Sequence, residues 1–286
     1  MIGLPEVQRL AYRAGVSARM IERDYVLTWA LIGLARHPAL GAALALKGGT
    51  ALKKVYFADW RYSEDLDFTA QQIITPEVLL AQLSEIAQAV GDEAGIELVV
   101  ASSEPREDGG RLRNVTVYLG YVGPLHRTRR RREFKLDFTF DEVMVNPPVR
   151  RSLLSAYSDE PRPVTPVLAY SLEEIGAEKL RTLLQRTQPR DLYDVWRLLV
   201  ECGADLDLSL AVETFRTKCL HKGLTPESLA QALAPAQVGK IRRAWASRLE
   251  NQMADVPSLE QVMRETRRAL RVHLALRRNH ATGYQN

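Results

Sequence analysis

The segment Lys47–Thr69, KGGTALKKVYFADWRYSEDLDFT, limits the possible folds more than any other part of the chain. Its acidic end, Asp65-Leu66-Asp67-Phe68, alternates charged and apolar residues with the period of a β-strand that buries one face. Leu66 and Phe68 then anchor in a core, and Asp65 and Asp67 project together from the other side. Two carboxylates held that close repel and cost stability unless a cation sits between them. Oxygen ligands favour a hard ion such as Mg²⁺, which keeps several waters and commonly shares its shell with phosphates. Upstream, Gly48, Gly49 and Thr50 form a turn whose glycines let backbone approach phosphates closely. A solvated strand edge also explains an S-x-D-x-D stretch taken alone; the Gly-Gly-Thr turn ahead of it favours the metal-and-phosphate reading.

A second alternation, Phe134–Phe140 (FKLDFTF), places Lys135, Asp137 and Thr139 on one face and Phe134, Leu136, Phe138 and Phe140 on the other. An acid in mid-strand behind an aromatic face needs a partner or a metal, so Asp137 is the candidate third carboxylate. The competing reading is an exposed face with a Lys–Asp neighbour pair. Directly before this strand lie Arg127, Arg129, Arg130, Arg131 and Arg132, and further arginines mark residues 264–278. Clustered arginine is the footprint of phosphate contacts, which makes the 127–132 run a candidate nucleic-acid-binding segment. For the tail, a solvated polar helix face explains the pattern equally well.

The overall balance is modest, a net charge of +4 with 26% charged and 46% hydrophobic residues, as in a soluble globular protein. The 286 residues suffice for one large domain or two modest ones. Val26–Leu46, the best membrane-span candidate, is broken by Arg36, His37 and Pro38, and residues 1–15 lack a signal-peptide pattern. Cys202 and Cys219 without metal spacing fit reduced thiols, so a cytoplasmic protein is expected, and five scattered histidines argue against zinc.

Periodicity predicts helix over residues 6–36, a short helix over 50–56 and an amphipathic helix over 76–94 with Thr75 as N-cap. Strands are expected over 65–69, 96–101, 115–121 and 134–140, and the Pro- and Ser-rich stretch 147–166 reads as a loop. Helices follow to the C-terminal end, starting at Leu172 with Ser171 and Glu174 as a capping box. The division expected is 1–165, carrying the sheet, and 166–286, helical. The helical part holds a polar set of its own: Lys179, Arg181, Arg190, Asp191 and Asp194. Weak solvated pairs explain most such residues, and Asp191 also suits a helix N-terminus.

GGTALKKVY, RYSEDLDF, FKLDF, SLEEIGAEKLRTLLQR and PRDLYDVWRLL, with ERDYVLTW ahead of them, occur in that order across residues 22–199. The ordered set closely resembles the AbiEii/AbiGii-type nucleotidyltransferase toxins of bacterial type IV toxin–antitoxin systems. That resemblance implies an α+β fold: a DNA-polymerase-β-like nucleotidyltransferase core, a mixed sheet flanked by helices, and a C-terminal helical domain completing the active-site cleft. It implies that Gly48, Gly49 and Thr50 are the glycine motif, with Thr50 where many relatives carry Ser or Gly. Asp65, Asp67 and Asp137 match metal-binding acids, Ser63 a nucleotide-phosphate contact, Lys179 the triphosphate lysine and Asp191 the last motif's acid, with Asp194 competing for that role. Implied with them are two Mg²⁺ ions, an NTP substrate, a cognate antitoxin, and an acceptor for which the tRNA 3′ end is the leading expectation. A protein hydroxyl as acceptor, a nuclease on the same metal site and a non-catalytic nucleic-acid-binding module are the alternatives.

Overall fold

The computed structural model describes residues 1–125, 132–154, 156–186, 188–229 and 233–275. Its chain forms two compact units: one of residues 1–142, 148–170 and 251–254, the other of 143–147, 171–250 and 255–286. The expected boundary at 165/166 thus falls a few residues before the change of unit at 170/171, and two short segments cross over.

In the first unit, α1 (Leu4–Ala14) and α2 (Ala18–Arg36) replace the single helix expected over 6–36. Gly15 ends α1, and Ser17 starts α2 by accepting from the Met20 N–H (3.2 Å). The middle of α2 is buried almost all round (Tyr25, Val26, Leu27, Trp29, Ala30 and Leu31), so it is a core helix. After α3 (Leu40–Ala43) comes β1 (Leu44–Lys47). Then α4 (Gly48–Ala51) runs into a π-helical turn, Leu52–Tyr56. β2 (Asp65–Ala70) and α5 (Pro76–Ala94) follow, the latter beginning at Thr75 as its sequence predicts.

β3 (Glu97–Asp108) and β4 (Arg111–Val122) are twice the expected length and meet at Gly109-Gly110 in a two-residue hairpin turn. Most residues from Ala101 to Asp108 are exposed, so a hydrophobicity pattern does not register them as strand. β5 (Arg132–Thr139) matches expectation. β6 (Val149–Ser152) lies inside the predicted loop 147–166, and β7 (Pro166–Ala169) starts at its last residue, where no strand is expected; each has four residues, too few to establish a period.

Among the described residues these strands form one mixed sheet, ordered β3-β4-β5-β2-β1-β7-β6. The acid-bearing β2 is central, parallel to β5 and antiparallel to β1. Leu46, Leu66, Phe68, Leu136 and Phe138 are buried on one face, with the Phe68 and Phe138 rings stacked 5.5 Å apart. That apolar layer fixes the register, because a slip of one residue would turn the acids into the core.

The second unit is helical: α6 (Leu172–Arg186), α7 (Pro189–Trp196) continuing as a π-turn to Glu201, α8 (Leu208–His221), and helices Pro235–Leu249 and Leu259–Ala275. Ile175, Leu180, Leu183, Leu192, Val195, Phe215 and Val262 form its core. The capping box is half present. Ser171 Oγ accepts from the Glu174 N–H (3.2 Å), but the Glu174 carboxylate accepts from the Val145 and Asn146 backbone N–H groups. Fully buried Lys218 pairs with Glu174 (2.9 Å) and donates to the Val143 carbonyl (2.8 Å). One buried ion pair therefore binds the segment 143–147 to this unit. Among the described residues no helix is long and apolar enough to cross a membrane.

Candidate active site

The sheet register brings the acids together. Lys47, Asp67, Asp137 and Thr116 lie side by side across β1, β2, β5 and β4, and Asp65, Lys135 and Tyr118 form the neighbouring row. Because side chains two apart share a face, both rows project from the side opposite Phe68 and Phe138. Burial, then Asp65 and Asp137, push the Asp67 carboxyl up to about 6, against the opposing pull of Lys47 and Lys135.

Each acid has fixed neighbours. Thr116 Oγ1 donates to Asp137 Oδ1 (2.6 Å), and Lys135 Nζ pairs with Asp137 Oδ2. Burial lowers the Lys135 ammonium pKa, but Asp137, Asp67 and Asp65 outweigh it and raise the net value. Lys47 Nζ donates to Thr139 Oγ1 (3.3 Å), and Ser63 Oγ to Asp65 Oδ1 (3.4 Å). Among the described residues no three His, Cys, Asp or Glu side chains are already gathered around one point. The donor chemistry of Asp65, Asp67 and Asp137 nevertheless fits a hard divalent ion, since three carboxylates share one face of the sheet.

The two glycines have different reasons. Gly48 has φ +76°, and a Cβ there would come 2.8 Å from Asp67 Oδ2. At Gly49 a Cβ would meet Arg61 Nη2 at 2.8 Å, so a guanidinium lies against the turn. Thr50 Oγ1 donates to the Asp65 carbonyl (2.6 Å), tying the turn to the start of β2. Behind it, buried Lys54 donates to Asp24 Oδ2 (2.5 Å), which also accepts from Tyr157 Oη (2.6 Å).

Of the arginine run, Arg127, Arg129, Arg130 and Arg131 lie outside the described residues. Arg132 opens β5 and is paired with the buried carboxylate of Glu22, which also accepts from the Leu125 N–H (2.8 Å). That ion pair assigns Arg132 a place in the fold of the first unit.

Lys179, Asp191 and Asp194 converge in the helical unit, all of them buried. Lys179 Nζ lies 2.7 Å from Asp194 Oδ2 and 3.4 Å from Asp191 Oδ1, and Arg186 Nε pairs with Asp191 Oδ2 (2.8 Å). Burial raises the Asp191 carboxyl pKa, but Lys179 and Arg186 prevail and hold it below the ordinary range. The Lys135–Asp137 neighbour pair considered from sequence is present, within one strand. No role for Arg61, Lys47 or Thr116 is evident from sequence. Arg61 has a local signal, an arginine just ahead of Ser63 and Asp65; the other two are recognisable only through strand pairing.

The fold is shared with several solved structures. MenT4, a nucleotidyltransferase toxin from Mycobacterium tuberculosis, matches with a TM-score of 0.59 at 19% identity, over 96% of this chain and 99% of that one. JHP933 from Helicobacter pylori matches with 0.57 at 17% identity, over 93% and 97%. A putative nucleotidyltransferase from H. pylori matches with 0.54 at 17% identity, over 92% and 98%. No curated protein sequence matches. At these identities the likeness is one of fold; the class, a nucleotidyltransferase, comes from the family match. Residues 29–271 match the model of the nucleotidyl transferase AbiEii toxin family of type IV toxin–antitoxin systems, and the chain belongs to that family. Membership implies a nucleoside triphosphate substrate and a cognate antitoxin.

Proposed function

We propose that this toxin transfers a nucleoside monophosphate from an NTP to the 3′ end of tRNA. The observation that carries the reading is the row of Asp67 and Asp137, with Asp65 beside it, on one sheet face next to the Gly48–Thr50 turn. Asp65, Asp67 and Asp137 would hold two Mg²⁺ ions, which supply charge neutralisation at the α-phosphate and activate the acceptor hydroxyl. The acceptor oxygen forms a new bond to the α-phosphorus, the bond to the β-phosphate oxygen breaks, and pyrophosphate leaves. Asp137 takes the acceptor proton. The turn amides and Ser63 contact the phosphates, Lys179 balances charge on the β- and γ-phosphates, and Asp191 positions Lys179. The 3.4 Å Lys179–Asp191 contact supports the last assignment, and the shorter Asp194 pair gives that residue a claim to the same task. Arg127 and Arg129–Arg132 are proposed RNA contacts, with Arg132 also anchored to Glu22.

The test incubates purified protein with total tRNA, Mg²⁺ and each α-labelled NTP, beside Asp67→Ala. Label on tRNA with wild type alone supports the transferase and identifies its nucleotide. Label on protein keeps the chemistry and replaces the acceptor. No label on either, with tRNA still bound, refutes catalysis in favour of a binding module.

A further inference from the structure

Gln252 lies far along the chain from every residue assigned to the nucleotide site, between two helices of the other unit, yet the segment 251–254 belongs to the sheet unit. Its side chain is 2% exposed. Gln252 Oε1 accepts from Arg61 Nη1 (2.9 Å), and its backbone carbonyl accepts from the Tyr62 N–H (2.9 Å). Arg61 Nη1 also reaches the Tyr62 carbonyl (3.3 Å), and Arg61, a residue 4% exposed, sets its Nη2 2.8 Å from where a Cβ of Gly49 would stand. Gly15, at the end of α1, packs so closely on Ala254 that a Cβ there would come within 2.4 Å of the Ala254 Cβ.

These contacts form a chain of positions. Gly49 has no side chain to set its own distance from its surroundings, so the guanidinium is the wall against which the turn rests. Ser63 and Asp65 follow Arg61 by two and four residues, and the Tyr62 N–H that leads into them is held by the same glutamine. We propose that Gln252 is a positioning residue for the triphosphate-binding part of the site, acting through Arg61 on the Gly48–Thr50 turn. This inference rests on the nucleotidyl-transfer reading. Gln252 touches no substrate; it keeps the guanidinium from turning away from Gly49. Removing its acceptor withdraws the 2.9 Å bond and leaves the longer one to the Tyr62 carbonyl, so the guanidinium is held less firmly against Gly49.

The experiment compares wild type, Gln252→Leu and Gln252→Glu as full-length protein. Calorimetric titration with each of the four NTPs and Mg²⁺ gives affinity, and backbone hydrogen exchange reports on residues 48–50 and on β2. Leucine removes the acceptor; glutamate keeps an oxygen at the same reach and serves as the conservative rescue. The expected result is about a tenfold loss of NTP affinity for Gln252→Leu, with faster exchange at residues 48–50 and unchanged exchange in β2. Gln252→Glu stays within about threefold of wild type. Should the leucine variant not fold, Gln252→Asn, which withdraws the acceptor by one methylene, gives the same readings. Wild-type affinity in Gln252→Leu or Gln252→Asn overturns the inference, as does an equal loss in Gln252→Glu. A wild type that binds none of the four NTPs overturns the nucleotide reading itself, and this inference with it.

Discussion

Asp67→Asn is expected to abolish transfer and yet make the metal-free protein more stable. The Asp67 carboxyl ionises at about 6 in the folded protein, against 3.8 for an unperturbed aspartate. A group with a raised folded pKa favours folding fully below its unfolded value, and that benefit is lost as pH rises through the folded one. Above about pH 6.5 the wild type therefore pays to keep Asp67 ionised beside Asp65 and Asp137. A shift of two units corresponds to at most about 3 kcal/mol. Partial solvent access to Asp67 reduces this to roughly 2 kcal/mol. Asparagine keeps the shape and removes the charge. At roughly 2–4 °C per kcal/mol for a unit of this size, its Tm at pH 7.5 in EDTA should exceed wild type by about 4–8 °C. At pH 4 the difference should vanish, because the wild-type carboxyl is then protonated as well. Differential scanning fluorimetry from pH 4 to 8 measures the series. Adding Mg²⁺ at pH 7.5 should raise the wild-type Tm and leave the variant almost unmoved. A gain independent of pH, or none at pH 7.5, would refute the electrostatic account of the site.

Other substitutions probe separate parts. Lys54→Met leaves Asp24 buried with only Tyr157 for a partner and should cost about 3–5 kcal/mol in urea unfolding, most of it recovered by adding Asp24→Leu. Gly48→Ala forces a side chain into a left-handed backbone beside the Asp67 carboxylate; a loss of roughly 1–2 kcal/mol is expected, together with impaired NTP binding by calorimetry. Asp65→Ala should cut label transfer by several orders of magnitude with native circular dichroism, and near-native activity would sink the metal assignment. If the arginine run binds RNA phosphates, charge-reversing Arg129 and Arg130 should flatten the salt dependence of tRNA binding in a filter assay, by about one unit of log–log slope for each phosphate no longer neutralised.

Strongly periodic parts of the chain are legible in its sequence. Asp65–Phe68 and Phe134–Phe140 alternate cleanly because one face of each strand is core, and both alternations fall within a residue or two of the observed strands. Thr75 and Pro76 mark the start of α5 because a cap and an N1 proline act locally. Tertiary partners set the rest. β6 and β7 exist through pairing with each other and with β1, and the outer half of the β3–β4 hairpin has no core to impose a pattern. Glu174 fits a capping box by spacing, yet Lys218 and the backbone of 145–146 claim its carboxylate. In the site, the acids and glycines are readable because their chemistry is local. The Lys135–Asp137 pair joins neighbours on one face of a single strand and is readable from their spacing, whereas the Thr116 bond to Asp137 depends on which strands lie side by side, and nothing near Gln252 in sequence announces Arg61.

The return of residues 251–254 to the sheet unit bears on when the enzyme becomes competent during synthesis. A nascent chain that has passed Asp191 already carries the three acids, the glycine turn and Lys179, the residues proposed for the chemistry. Until the ribosome has also passed Ala254, Arg61 has no Gln252 to meet and Tyr62 has no carbonyl to bond. Ribosomal stalling or proteolytic trimming between Asp191 and Asn251 thus yields a fragment that holds the proposed site residues without Gln252. For a toxin, that delays the finished site until a late stretch of chain has folded back to seal it.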